Sequence, residues 1–194
     1  MSGINMNPLL LPVPESFESS RLLIRAPLWG DGAPLNNAVI ESRTALLPWM
    51  PWAEHIPTME DSELVIRKAR LRYLERTDLM LLLFLKDTGE LVGSSGLHRI
   101  DWEARKFEIG YWVRTSCSGM GYISEAVEAI TGFAIQELAA NRIEIRCDAR
   151  NIRSAKVAER SGYTREGILR KEKAAVDGSL RDTMVFAKVR GFEF

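Results

Sequence analysis

The spacing of hydrophobic residues changes several times along the chain, and each change predicts a new strand or helix. Residues 79–85 are an uninterrupted apolar run, typical of a strand buried on both faces. A turn follows, and residues 91–100 return as the second strand of a hairpin. Within that strand Gly93 and Gly96 indicate a bulge or a close backbone approach. Apolar and polar side chains then alternate over residues 106–113, which predicts a third strand.

Helical spacing of apolar side chains predicts four helices, at residues 34–43, 60–76, 123–138 and 151–162. Asp31 is the candidate cap of the first helix, and Thr58 or Asp61 of the second. Further strands are predicted at residues 21–26, 142–148, 164–173 and 180–190. The order βααβββαβαββ predicts an α+β protein with a mixed sheet of about seven strands and about four helices. Without a repeat or linker, residues 1–194 are expected to form a single domain, with residues 1–17 as a loose N-terminal arm.

Two glycines, Gly119 and Gly121, stand between the strand at residues 106–113 and the helix at residues 123–138. Glycine allows positive φ and a close approach to a ligand, and a helix N-terminus presents free N–H groups. A phosphate fits such a turn, although the same spacing also suits a tight connection without a ligand. The turn lacks the third glycine of a dinucleotide fingerprint and the Gly-Lys-Ser/Thr of a P-loop, which argues against nucleotide hydrolysis.

The wider arrangement resembles the GNAT acetyltransferase superfamily, in particular its branch of ribosomal-protein N-terminal acetyltransferases, the Rim type. The resemblance covers nearly the whole chain and keeps the order of the motifs. Its pieces are Glu108-Ile-Gly-Tyr-Trp-Val, Gly119-Met-Gly-Tyr, Ser124-Glu-Ala, Asn151 with Ser154, and Ser161-Gly-Tyr. One departure is Ser116, where the superfamily usually has Gln or Arg. Because that position contributes mainly a backbone N–H, we expect phosphate binding to survive.

The resemblance implies the GNAT acyl-CoA N-acyltransferase fold and acetyl-CoA as co-substrate. It implies transfer of an acetyl group to a primary amine, most simply a protein N-terminal α-amine. The phosphates would rest on N–H groups from Ser118 to Ile123, the pantetheine arm would pair along the edge after Trp112 and Val113, and Asn151 would orient the arm. The cofactor-binding residues implied are Trp112, Val113, Ser118, Gly119, Met120, Gly121, Tyr122, Ile123 and Asn151.

Two residues are candidates for the chemistry. Most GNAT enzymes protonate the thiolate with a tyrosine in the helix at residues 151–162, which here contains none. Ser154 occupies the position that Rim-type enzymes use near the thiol, and it is equally suited to an ordinary capping bond. Glu108 is the candidate base for the amine, because a carboxylate on a central strand is out of character unless it is exposed or used. A salt-bridged Glu108 and an ordered water are the alternatives.

Composition narrows the possible partners. Basic and acidic residues number 26 each, which gives no general attraction for nucleic acid or acidic membranes. Locally, residues 142–181 carry 11 basic and 6 acidic side chains, which suits either a solvated face or a polyanionic cofactor. No signal or membrane-spanning segment is evident, so a cytoplasmic protein is expected.

The few cysteines and histidines point to no further chemistry. Cys117 and Cys147 form no disulfide framework; Cys147 is expected to be buried, and no histidine stands near Cys117 to make it a nucleophile. His55 and His98 are too far apart to suggest a metal site.

Other functions remain open on the sequence. Acidic residues between positions 41 and 63 would suit a small amine acceptor such as a polyamine, and aminoglycosides and amino-acid analogues belong to the same alternative. A non-catalytic acyl-CoA-binding module is a third possibility. Residues 184–189 form a hydrophobic strand expected near a sheet edge, and Trp49 and Trp52 lie in a proline-rich loop expected to be extended. These features predict a homodimer, unless residues 1–17 cover the edge.

Overall fold

The computed structural model describes residues 7–194, which form one eight-stranded sheet with four α-helices. The strands are β1 (Ser16–Glu18), β2 (Leu22–Arg25), β3 (Leu79–Leu85), β4 (Leu91–Asp101), β5 (Lys106–Val113), β6 (Arg142–Asp148), β7 (Thr164–Ala174) and β8 (Leu180–Val189). The helices are α1 (Gly32–Leu46), α2 (Met59–Glu75), α3 (Tyr122–Gln136) and α4 (Ile152–Arg160). Short 3-10 helices lie at Pro8–Leu10, Pro51–Glu54 and Thr115–Cys117.

The sheet is mixed, as predicted, and runs in the order β1-β2-β3-β4-β5-β6-β8-β7. Only the β5–β6 pair within it is parallel, and the other six pairs are antiparallel. The strand beyond the predicted seven is β1.

The prediction of a loose N-terminal arm is wrong for residues 11–17, where Val13 is buried and the Leu11 carbonyl accepts a hydrogen bond from Arg76. The strand β1 pairs with β2, and the Phe17 ring stacks on Phe133 of α3 with centroids 4.5 Å apart. The Tyr73 hydroxyl of α2 donates a hydrogen bond of 2.6 Å to the Pro14 carbonyl. These contacts with distant helices hold a segment that has no periodicity of its own. The first six residues of the predicted arm lie outside the described residues.

Helices cover the two faces of the sheet and give its central strand β5 two different surroundings. Phe107 and Ile109 are buried in a core that includes Ile130 of α3. Trp112, whose side chain points to the other face, packs beside a second core formed by α1, α2 and β3. Since Glu108 alternates in step with Trp112, it faces the α1–α2 side, whereas Tyr111 faces α3 and α4.

The strands β5 and β6 pair over only three positions and then part. The pairs are Lys106 with Arg142, Phe107 with Ile143 and Glu108 with Glu144. Beyond them β5 continues its ladder with β4 as far as Val113, and β6 continues with β8 as far as Asp148. In the described structure, the half of β5 that carries Trp112 and Val113 is therefore paired on one side only.

The helix caps follow the predictions in one case and depart in another. Thr58, one of the two candidates, is the N-cap of α2, and Asp61 completes a reciprocal capping box with it. Asp31 stands at the N-cap of α1 but makes no side-chain cap bond. Its carboxylate instead accepts two hydrogen bonds of 2.7 Å from Arg25 and one from the Leu28 N–H. The charged partner outcompetes the neutral N–H groups of the helix.

The close backbone approaches predicted at Gly93 and Gly96 are confirmed. A Cβ at Gly93 would collide with the Trp112 carbonyl oxygen, and one at Gly96 would lie 2.5 Å from the Leu79 carbonyl oxygen. Gly96 also has a φ of +152°. Both glycines lie in β4 next to β5, so they let the strands around the parting point pack closely.

The edges of the sheet differ from the expectation. Residues 184–189 belong to β8, which lies between β6 and β7, so the edge strand on that side is β7. The arm expected to cover that edge forms β1 at the opposite end of the sheet. The β7–β8 hairpin buries the hydrophobic face of residues 184–187 within the molecule.

Candidate active site

The turn between β5 and α3 has the geometry that its two glycines predict. Gly119 and Gly121 both have a φ of +81°, in the left-handed region that disfavours other residues. Gly121 is the N-cap of α3 and has no side chain to cap it, so the N–H groups of the first turn are left to other partners. Ile123 is buried and anchors the helix, whereas Met120 is exposed at the mouth of the turn. The turn can therefore accept an anion on backbone N–H groups.

Two N–H groups assigned to phosphate binding are already in use. The Ser118 N–H donates to the Thr115 carbonyl at 3.1 Å, because the chain makes a 3-10 turn there. The Ser116 N–H donates to the Glu41 carboxylate of α1 at 2.8 Å. The donor roles expected of these two N–H groups are therefore corrected: the candidate donors begin at Gly119, and the backbone N–H of Ser116 ties the turn to α1.

An ion pair that the sequence did not reveal supports the same turn. Arg21, just before β2, donates from its Nε to Glu125 in the first turn of α3 at 2.7 Å and from its Nη1 to the Met120 carbonyl at 3.1 Å. Its guanidinium lies over the Tyr122 ring, 4.4 Å from the centroid. Burial would raise the pKa of Glu125, but bonds from the Arg21 N–H, the Ser19 hydroxyl and the guanidinium lower it overall. The signal that could have identified this pair is Glu125 itself, an acidic residue at a helix N-terminus.

The helix α4 begins beside the gap between β5 and β6. Asn151 is its N-cap, and the Asn151 Oδ1 accepts a bond of 3.1 Å from the Ser154 N–H. Asn151 therefore performs the capping that was considered for Ser154. The Ser154 hydroxyl oxygen lies 3.0 Å from the phenolic oxygen of Tyr111. The sequence brings no tyrosine into α4, but β5 supplies one across the gap.

Glu108 lies in an ion-pair cluster on the α1–α2 side of the sheet. One of its carboxylate oxygens is 2.6 Å from Arg99 Nη1 and 3.8 Å from Arg146 Nε. The Glu108 side chain is 16% exposed and lines a small recess together with Lys106 and Glu144. The structure thus shows the salt-bridged alternative for this carboxylate. It also places Glu108 and Ser154 on opposite faces of β5, so the two candidate catalytic residues are not brought into direct contact.

Four of the eleven basic residues between positions 142 and 181, namely Arg142, Arg146, Arg150 and Arg181, form ion pairs. Arg142 contacts Glu144 and Glu166, and Arg146 contacts Glu144. Asp148 is buried and is held by Arg150 at 2.8 Å; burial would raise the pKa of Asp148, but these bonds lower it overall. Because these arginines are paired within the protein, the net charge of residues 142–181 does not directly measure how strongly this region would attract an anionic cofactor.

The cysteines and histidines do not assemble a site in the described structure. Burial raises the pKa of both the Cys117 and Cys147 thiols, which disfavours the thiolate that a nucleophile needs. His98 Nδ1 lies 2.7 Å from Asp78, and residues 7–194 contain no group of three or more potential metal ligands. Among the helices of that same part, none is both long and apolar enough to cross a membrane.

A family model described as an acetyltransferase (GNAT) domain matches residues 21–164. The chain belongs to the GNAT acetyltransferase family. GNAT enzymes take their acetyl group from acetyl-CoA, so this chain is an acetyl-CoA-dependent N-acetyltransferase, and acetyl-CoA is its co-substrate. Its eight-stranded mixed sheet and four α-helices are a GNAT fold, which confirms the predicted fold class.

Named relatives place the chain within that family. The ribosomal-protein-serine acetyltransferase of Escherichia coli (strain K12) is 28% identical over 156 residues, covering 80% of this chain and 86% of that protein. YdaF of Bacillus subtilis (strain 168), provisionally named a ribosomal N-acetyltransferase, is 30% identical over 162 residues, covering 82% and 86%. The solved structure of the L7/L12 α-N-protein acetyltransferase RimL with coenzyme A superposes with a TM-score of 0.82 at 22% identity, covering 91% of this chain and 97% of that one.

A second solved structure widens the range of chemistry found on this fold. The microcin C7 self-immunity acetyltransferase MccE, in complex with acetyl-CoA and AMP, has a TM-score of 0.83 at 22% identity, covering 91% of this chain and 97% of that one. Both solved structures share the GNAT fold with this chain. Their different names show that the fold alone does not select the acceptor.

Proposed function

We propose that this GNAT enzyme acetylates a protein N-terminal α-amine, as the Rim-type resemblance implies. The observation that carries the proposal is the match to the ribosomal-protein-serine acetyltransferase along 80% of the chain. The cytoplasm remains the predicted location.

Acetyl-CoA would lie between the α3 turn and the open edge of β5. Its phosphates would accept hydrogen bonds from the N–H groups of residues 119–123, with Ser118 and Met120 shaping the turn. Its pantetheine arm would pair with the backbone at Trp112 and Val113, where β6 has turned away. Asn151, fixed at the N-cap of α4, would face the arm from the other side of the gap. Such main-chain pairing would hold the acyl carbon still while the amine approaches.

The structure weakens the case for a small polyamine as acceptor. Three of the acidic side chains between positions 41 and 63 are bound within the protein. Glu41 contacts Arg114 and the Ser116 N–H, Asp61 completes the α2 capping box, and Glu63 contacts Arg67. Carboxylates committed in this way are poor partners for a second cation.

A direct screen tests the proposed acceptor. Thiol release from acetyl-CoA would be measured with peptides that differ in their first residue and with aminoglycosides, polyamines and amino acids. We expect turnover with unblocked peptides, and loss of that turnover when the same peptides carry a blocked N-terminus. Turnover confined to small amines would contradict a protein acceptor, and acetyl-CoA binding without any turnover would favour the non-catalytic module.

Replacing Ser154 with alanine is expected to lower kcat about tenfold to a hundredfold while leaving acetyl-CoA binding nearly unchanged. We propose that the hydroxyl donates a hydrogen bond to the departing thiolate, and a bond to a charged group contributes roughly 1.5–3 kcal/mol. A serine hydroxyl is too weak an acid to do more than this. Steady-state kinetics together with acetyl-CoA titration separate the two effects. Equal losses in both, or in neither, would leave Ser154 with a structural role only.

We also propose that the enzyme forms a homodimer. The edge strand β7 has an unpaired side in the described chain, and Ile168, Leu169 and Leu180 expose apolar surface on the β7–β8 hairpin. Pairing with a second copy would cover such an edge. Light scattering at micromolar concentration should give twice the 21.9 kDa chain mass. A mass that stays near that of one chain on concentration would exclude the dimer.

A further inference from the structure

Tyr111 spans the gap that opens where β5 and β6 part. It lies three residues beyond Glu108, the last β5 residue paired with β6. Its side chain points to the α3–α4 face and its phenolic oxygen reaches the first turn of α4. There it lies 3.0 Å from the carbonyl oxygen of Ser154 and 3.0 Å from the Ser154 hydroxyl oxygen. One phenol therefore contacts both the backbone and the side chain of the serine proposed to meet the thiolate.

Because the two distances are equal, Tyr111 can donate its phenolic proton either to the Ser154 carbonyl oxygen or to the Ser154 hydroxyl oxygen. If Tyr111 donates to the Ser154 carbonyl, the Ser154 hydroxyl can donate to Tyr111. If Tyr111 donates to the Ser154 hydroxyl oxygen, the proton of the serine is free to point elsewhere. Hydrogen bonds in a chain strengthen one another, so a serine that accepts from a phenol becomes a better donor. Burial raises the pKa of Tyr111 above its ordinary value against the opposing Ser154 bond, so the phenol keeps its proton at neutral pH.

We propose that Tyr111 is a positioning residue for acetyl transfer, which holds Ser154 in place and supplies the hydrogen bond that lets the Ser154 hydroxyl donate to the leaving sulfur. This inference rests on the proposed role of Ser154. The acceptor nitrogen forms a bond to the acetyl carbon and loses its proton to a base or water. The carbon–sulfur bond then breaks with its electron pair on sulfur. The thiolate accepts a hydrogen bond from Ser154 and takes its proton from solvent, so Tyr111 and Ser154 end the cycle unchanged.

A second tyrosine, Tyr163, provides a control; it is buried, whereas Tyr111 is partly buried. The Tyr163 hydroxyl also bonds a hydroxyl, that of Thr131 in α3, at 2.6 Å. Burial raises the pKa of Tyr163, as it does for Tyr111. The Tyr163 bond lies inside the core, and within residues 7–194 Tyr163 makes no hydrogen bond to Ser154. Removing the hydroxyl from Tyr163 therefore imposes a similar loss in the core without touching the serine.

The test compares Tyr111→Phe, Tyr163→Phe, Ser154→Ala and the double variant Tyr111→Phe/Ser154→Ala in the full chain. Thiol release from acetyl-CoA would be followed with a serine-initiated peptide, together with KM for acetyl-CoA and the melting temperature. We expect Tyr111→Phe to lower kcat about tenfold, since one hydrogen bond is lost, with KM changed less than about twofold. Tyr163→Phe should lower the melting temperature to a similar extent and keep kcat within about twofold of the parent. In the Ser154→Ala background, Tyr111→Phe should cost almost nothing more.

The outcomes separate this inference from the proposed function. If Ser154→Ala lowers kcat but Tyr111→Phe matches Tyr163→Phe, the positioning role of Tyr111 is overturned and that of Ser154 stands. Additive losses in the double variant would likewise overturn it, because Tyr111 would then act independently of Ser154. If Ser154→Ala retains full kcat, the proposed roles of both Ser154 and Tyr111 are overturned. If the parent enzyme acetylates none of the amines in the acceptor screen, the proposed function is overturned as well.

Discussion

Valine at position 121 is expected to abolish the stabilisation that acetyl-CoA gives the enzyme. A ligand at 100 times its dissociation constant adds about 2.7 kcal/mol to the free energy of unfolding. In Gly121→Val the new side chain would stand where the phosphates approach the N–H groups of α3. The protein itself has room, since the nearest atom to a Cβ there is Arg21 Nη2 at 3.5 Å. The stabilisation by acetyl-CoA should therefore be lost because the valine side chain excludes the phosphates, and not because it collides with the protein.

The backbone strain of this substitution needs its own control. Gly121 has a φ of +81°, and a residue with a Cβ costs roughly 1–2 kcal/mol in that region. Gly191, after β8, has a φ of +84° with nothing within 4 Å of a Cβ. Gly191→Val should therefore lower the melting temperature of the free enzyme to a similar extent but keep the acetyl-CoA shift. A full shift in Gly121→Val would contradict the placement of the phosphates at this turn.

The parts of the fold that the sequence predicted correctly are those decided by short-range patterns. The apolar run at residues 79–85 gives the bounds of β3, and the glycines at positions 119 and 121 do adopt the positive φ that their spacing predicts. Thr58 was one of the two candidate caps of α2, and the capping box that it forms with Asp61 needs only residues three positions apart. In each case the partners lie within a few residues, so the chain itself carries the information.

The parts that could not be predicted depend on partners far away in the chain. The strand β1 has three residues and little pattern, and it is held by the stacking of Phe17 on Phe133. Asp31 has the residue type of a helix cap but bonds Arg25 instead. Residue type predicted which groups need partners, and the packing of strands and helices decided which partners they found.

In the candidate site too, the sequence predicted local features but not the contacts between distant residues. The alternation of β5 put a tyrosine at position 111 among apolar side chains, and a partly buried phenol usually finds a hydrogen-bond partner. The identity of that partner, Ser154, depends on where β6 leaves β5, which no local pattern specifies. The Arg21–Glu125 ion pair could not be predicted for the same reason, because 104 positions separate the two residues.

Replacing Glu108 with glutamine is expected to lower the acceptor-dependent kcat by about a hundredfold or more if the carboxylate receives the amine proton, since a positioned base contributes roughly 10²–10⁴-fold. The contact of 2.6 Å with Arg99 is the main obstacle to this role. A carboxylate bonded to a guanidinium can accept a proton only when that bond is exchanged for one to the arriving amine. Steady-state turnover at saturating acetyl-CoA and peptide acceptor measures this loss of kcat in Glu108→Gln.

Glu172 is the matched control for this test. Its carboxylate lies 3.7 Å from the same Arg146 that Glu108 approaches at 3.8 Å, so Glu172→Gln removes a comparable charge from the cluster. An ion pair at a partly exposed position contributes only about 0–1 kcal/mol, and we expect Glu172→Gln to change both stability and kcat little. If Glu108→Gln behaves like Glu172→Gln, Glu108 is a structural ion-pair partner, and the proton of the amine must leave through water.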